Sequence, residues 1–91
     1  MRPKIKRCLH FKPNVSYFKP QGIPLRYLEE VILLPDEVEA LKLYEVDGLD
    51  QKQAAVRMNI SQPTFARILD GAIKKIASAV IQGKAVRILK E

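Results

Sequence analysis

Between Asp47 and Phe65 the chain stops one helix, starts and stops a second, and starts a third. Asp47-Gly48 is the first stop, because Gly48 is free to take the left-handed backbone that closes helices. Asp50 follows as an N-cap, with Gln53 placed to reach back to it and Leu49 available to staple against Ala54. Ser61 repeats the arrangement, with Ile60 before it and Phe65 four positions after it. Asn59 stands at the reversal between the two helices, and asparagine tolerates the left-handed region better than most residues after glycine. Two short helices joined by so tight a turn cross sharply, and that needs a small side chain at the contact, which Ala55 supplies. The inner face of the first of them is Ala54, Ala55 and Met58. Capped helix, tight turn, capped helix is the helix-turn-helix pattern.

The flanks extend the pattern into a mainly α domain. Upstream, Asp36 and Glu39 form a capping-box-like pair, and Val38, Leu41 and Tyr44 share one helical face. Downstream, Phe65, Ile68, Leu69, Ala72, Ile73, Ile76, Ala77, Val80 and Ile81 keep helical spacing as one stripe, and Gly83 is a stop. Short strands have room at two places: Tyr27 to Leu34, and Ala85 to Leu89, where a frayed tail is the other reading. The first 26 residues hold Pro3, Pro13, Pro20, Pro24 and Gly22 and show no sustained helical period, so they are expected to be extended. Phe11, Tyr17, Phe18, Ile23 and Leu25 make that stretch too apolar for a plain solvated tail. The expected organisation is a Pro-rich basic arm over 1–26, partly docked, and a helix-turn-helix domain over 27–91. Ninety-one residues allow one modest core and little more.

Charge is arranged in blocks. Residues 1–26 carry seven Lys or Arg and no acid, 27–53 carry eight acids against two lysines, and 54–91 carry seven basic residues against two acids. The blocks amount to +7, −6 and +5, within a net charge of +6. Basic ends around an acidic middle suit two surfaces for a polyanion and one face that avoids it.

With Phe65 and Ile68 pointing inward, Gln62, Pro63, Ala66, Arg67 and Asp70 fall on the outer side of the third helix. That presents its first turns to a major groove. Gln62 suits adenine, and Arg67 suits guanine or a phosphate. Ser61 and Thr64 can cap the helix and also donate to phosphate. Pro63 stiffens the first turn, where its missing N–H is not needed. Gln51 and Lys52 are placed to grip the backbone, and Lys74 and Lys75 lie where such a helix leaves the groove. Arg2, Lys4, Lys6 and Arg7 read either as an arm entering the minor groove or as a solvated tail. The apolar surface of Ile73, Ile76, Val80 and Ile81 exceeds what three helices cover. Either the N-terminal segment or a second copy in a homodimer is expected on it.

Other chemistries find little support. Cys8 and His10 cannot by themselves supply the four ligands zinc needs, so no cofactor or metal is expected. A lone cysteine fits a reducing cytoplasm, and no apolar run approaches membrane-spanning length. His10 has no evident acid neighbour, and no glycine loop suited to phosphate is present, so an enzyme is not expected.

The stretch Gly48-Leu49-Asp50-Gln51 through Ala54-Ala55, Ser61, Thr64-Phe65 and Arg67-Ile68-Leu69 resembles region four of bacterial sigma factors. Over nearly its whole length the chain is similar to a small prokaryotic family of uncharacterised, predicted DNA-binding proteins. The matching pieces are Arg2-Pro3, Phe18-x-Pro20-x-Gly22, Leu28-Glu29-Glu30-Val31, Asp36-Glu37-x-Glu39-Ala40-Leu41, the helix-turn-helix, and Gly83-Lys84-Ala85. Ile73 stands where such proteins often carry a basic residue, and Gly71 is a poor helix former. The resemblance implies a sigma-region-four-like or winged-helix-like fold that binds double-stranded DNA through Ser61, Gln62, Thr64 and Arg67. The expected function is a sequence-specific transcription regulator. Its alternative is an interaction module that docks on RNA polymerase or another partner through the acidic face of Glu29, Glu30, Glu37, Glu39 and Glu45.

Overall fold

The fold comes from a computed structural model in which residues 15–89 are described. It is mainly helical, with three α-helices and a three-stranded sheet. The strands are β1 (Val15–Phe18), β2 (Glu30–Leu33) and β3 (Ala85–Leu89); the helices are α1 (Pro35–Leu41), α2 (Gln51–Met58) and α3 (Gln62–Gln82). Strand β3 lies in the centre, antiparallel to β1 and parallel to β2. Tyr17, Arg87 and Ile32 stand side by side across the three strands. Of the expected strand Tyr27 to Leu34, only Glu30–Leu33 pairs; Leu25–Tyr27 is a single 3-10 turn. Ala85–Leu89 is a strand because β1 and β2 flank it on both sides.

Helix α1 starts earlier than the Asp36–Glu39 pair suggests. Its N-cap is Leu34 and its first residue is Pro35, whose fixed φ and missing N–H suit that position. The residue that reaches back is Glu37, whose Oε1 accepts the Leu34 N–H at 2.9 Å. After Leu41 the helix widens into a π turn over Lys42–Val46, closed by Asp47 N–H donating to Lys42 O at 2.8 Å. Gly48 then takes φ +80°, as the stop requires.

Helix α3 runs through Gly71 without interruption and carries two cores. Its first half packs with Ala40, Leu43, Ala54 and Ala55 through Phe65 and Leu69. Its second half packs on the sheet, with Ala72 and Ala79 against Leu33 and Val86. The alanines let the elements approach closely enough for Phe65 to be fully enclosed, its ring 6.4 Å from that of Tyr44. Val38 and Leu41 on α1 and Tyr44 on the π turn that continues it face inward as the spacing implies, though Ala40 and Leu43 are the apolar residues wholly buried there. Gly83 ends the helix at φ +70° and turns the chain back into β3.

Candidate nucleic-acid interface

Both caps of the helix-turn-helix form as the sequence dictates. Asp50 Oδ1 accepts the Gln53 N–H at 2.7 Å, and Gln53 Oε1 accepts the Asp50 N–H at 3.0 Å. At the turn, Asn59 adopts φ 61° and ψ 44°. The Ile60 N–H donates to Ala55 O and the Asn59 N–H to Val56 O, each at 3.0 Å, which is the Schellman closure of a helix. Ile60 packs on the same core as Phe65. Ser61 Oγ then accepts the Thr64 N–H at 3.2 Å and lies 2.9 Å from Thr64 Oγ1, so one hydroxyl fixes both the amide and the side chain of Thr64. Pro63 occupies the first turn between them.

This local bonding holds the start of α3 rigid while leaving its outer side open. Ser61, Gln62, Pro63 and Arg67 are exposed and Thr64 is half-buried. Arg67 has no ion-pair partner among the described residues. Lys52 is exposed and Gln51 half-buried at the start of α2. Lys74 is exposed and leans on Asp70 at 3.1 Å, an (i, i+4) surface pair worth little on its own. A planar guanidinium and an amide side chain on the first two turns of one helix can donate and accept in the bidentate patterns that base edges offer. Arg2, Lys4, Lys6 and Arg7 lie outside the described residues, as do Cys8 and His10.

Lys75 is placed differently from Lys74: its ammonium turns inward to Glu37 Oε1 at 2.7 Å and to Ile32 O at 2.6 Å. The same contact removes Glu37 from the acidic face: its carboxylate is buried between the Leu34 N–H and Lys75. Gly71 faces it, where a Cβ would come within 3.5 Å of Oε2. Glu37, Lys75 and Ile32 thus tie α1, α3 and β2 together, a link across 38 residues that periodicity does not reveal.

The apolar stripe proposed for a second copy is also divided. Ile76 packs on the sheet core, while Ile73, Val80 and Ile81 are 42%, 73% and 82% exposed. Among the acids, Asp47 holds Lys42 at 2.9 Å, and that hydrogen bond and charge raise the Lys42 pKa above its ordinary value. No cluster of three or more potential ligands for a metal ion occurs among the described residues, and none of their helices is long and apolar enough to cross a membrane.

Residues 1–91 match the family described as "Protein of unknown function DUF134". The UPF0251 protein of Moorella thermoacetica is 51% identical over 87 residues, which cover 96% of this chain and 58% of that protein. Those of Caldanaerobacter subterraneus subsp. tengcongensis and Desulforudis audaxviator are 51% and 53% identical over the same length, covering 74% and 57% of those proteins. The chain is therefore shorter than each of these relatives. No solved structure matches it.

Proposed function

The chain belongs to the DUF134 family, and from the geometry of α3 we propose that it is a sequence-specific DNA-binding protein that regulates transcription and has no chemistry of its own. The observation that carries this reading is the rigid, outward-facing start of α3, capped by Ser61, stiffened by Pro63 and backed by buried Phe65. In this reading α3 enters the major groove by its first turns. Gln62 and Arg67 face base edges, Ser61 and Thr64 face phosphate, and Gln51 and Lys52 hold the adjoining backbone. Lys74 follows the groove outward, and the basic residues before β1, Arg2, Lys4, Lys6 and Arg7, add charge that draws the duplex in. A second copy of the chain would present a second reading helix to a symmetric site.

Selection of bound sequences from a random duplex pool tests the reading. The wild-type chain is expected to yield a consensus with affinity falling steeply with salt. Arg67→Ala is expected to relax preference at one base pair by about 1–3 kcal/mol while leaving non-specific binding nearly unchanged. No duplex binding at low salt would end it.

The second reading, a module that docks on RNA polymerase or another partner, draws on the exposed acids Glu29, Glu30, Glu39 and Glu45. Recovery of polymerase subunits from nuclease-treated lysate, lost on reversing those charges, would favour it over DNA.

A further inference from the structure

Among the described residues, two exposed apolar surfaces away from the start of α3 border hollows. One lies at the end of that helix, where Val80 and Phe18 border a hollow of about 440 Å³ whose charged lining residues are Lys19 and Lys84. Glu29 pairs with Lys84 at 3.5 Å, but no acid lines the hollow itself, so a second copy laid face to face there offers Lys19 no carboxylate.

The other lies on α2 and the turn before it, and it is complementary to itself. Leu49, Val56, Lys52, Gln53 and Arg57 line a hollow of about 340 Å³, and Val56 is 73% exposed. Neither Lys52 nor Arg57 has an ion-pair partner among the described residues. Three residues before Leu49, Val46 is 77% exposed between two acids, Glu45 and Asp47. The turn that carries it is fixed, by Asp47 N–H on Lys42 O at 2.8 Å and Leu49 N–H on Leu43 O at 3.0 Å. Asp47 is committed to Lys42, whereas Glu45 has no ion-pair partner among the described residues. An apolar knob with a carboxylate beside it thus adjoins an apolar hollow with cations beside it.

We infer that this surface joins two copies of the chain about a two-fold axis, Val46 of each entering the Leu49–Val56 hollow of the other and Glu45 of each meeting Arg57 of the other. An isologous contact requires that the complementary features sit on one patch, and the tight turn from Val46 to Leu49 provides that. In this pairing Glu45 takes Arg57 and Val46 takes the hollow, which leaves Lys52, at the start of α2, to the DNA backbone. The pairing stands apart from the DNA reading: a chain that fails to dimerise can still bind a half-site, and a dimer can form without DNA.

Sedimentation equilibrium of the whole chain over a concentration series tests it without DNA. The wild type is expected to associate to a dimer. Glu45→Arg and Arg57→Glu are each expected to raise the dimer dissociation constant by about ten-fold or more, because like charges then face each other. The variant carrying both reversals is expected to recover to within about three-fold of wild type. Val46→Asp is expected to give a monomer with an unchanged circular dichroism spectrum, since the side chain touches little of its own fold. A wild type that stays monomeric, a dimer that survives Val46→Asp, or a double reversal that restores nothing would overturn the inference. So would a dimer lost in Ile81→Asp but kept in Val46→Asp, which would move the contact to the end of α3.

Discussion

Phe65→Ala is expected to remove about 3–5 kcal/mol of stability, the largest loss for any single side chain in the helix-turn-helix. Small domains hold about 5–15 kcal/mol in total, so the variant sits near its folding threshold at room temperature. The ring is wholly enclosed, and its neighbours Ala54 and Ala55 are too small to close the space it leaves. Tyr44, 6.4 Å away, also loses its aromatic partner. Because Phe65 follows Ser61 by four residues, the cavity opens directly beneath the turn proposed to meet DNA. Urea unfolding of wild type, Phe65→Leu and Phe65→Ala measures the series. The leucine variant keeps most of the volume and is expected to cost less than about 1.5 kcal/mol. A loss below 1 kcal/mol for the alanine would mean that α2 and α3 are not held together as described.

Lys75→Met is expected to cost about 1–3 kcal/mol and to leave the salt dependence of DNA binding unchanged. Removing one partner of a fully buried pair costs about 3–5 kcal/mol, because the other charge is left stranded. Here the loss is smaller, since the Lys75 side chain keeps 34% of its surface in water and Glu37 still accepts the Leu34 N–H. Methionine preserves the stem's packing, so the difference reports the ammonium's contacts with Glu37 and Ile32 O. A lysine that gripped phosphate would behave otherwise: its loss would reduce the slope of log affinity against log salt by about 0.9. Unfolding and salt titration on the same variant separate the two roles. Loss of slope with no loss of stability would return Lys75 to the DNA face.

The contrast between Asp50 or Ser61 and Lys75 shows what a sequence makes legible. The caps at Asp50 and Ser61, the left-handed Asn59 and the glycine stops at Gly48 and Gly83 depend on residues within a few positions of one another. Their chemistry is local and survives in the fold unchanged. Glu37 looks like one more acid in an acidic run, and only the packing of α3 across α1 turns it inward toward Lys75. The start of α1 was displaced for a related reason: Pro35 and Glu37 answer the backbone at Leu34, where β2 ends, better than Asp36 and Glu39 do. Two strands were legible, within Tyr27 to Leu34 and over Ala85 to Leu89, but β1 and the pairing were not, since Val15–Phe18 and Ala85–Leu89 meet across most of the chain. Helical spacing also placed Ile76 on one stripe with Ile73 and Val80, but period alone does not say which side the sheet covers.

The most direct measurement is amide chemical-shift mapping of the isotope-labelled chain during titration with a duplex carrying its selected consensus. The largest shifts are expected on Gln62, Thr64 and Arg67 and on Gln51 and Lys52, with Lys75 and the exposed acids Glu39 and Glu45 little changed. Shifts confined to the acidic side of α1, or no shifts at low salt, would contradict the DNA reading.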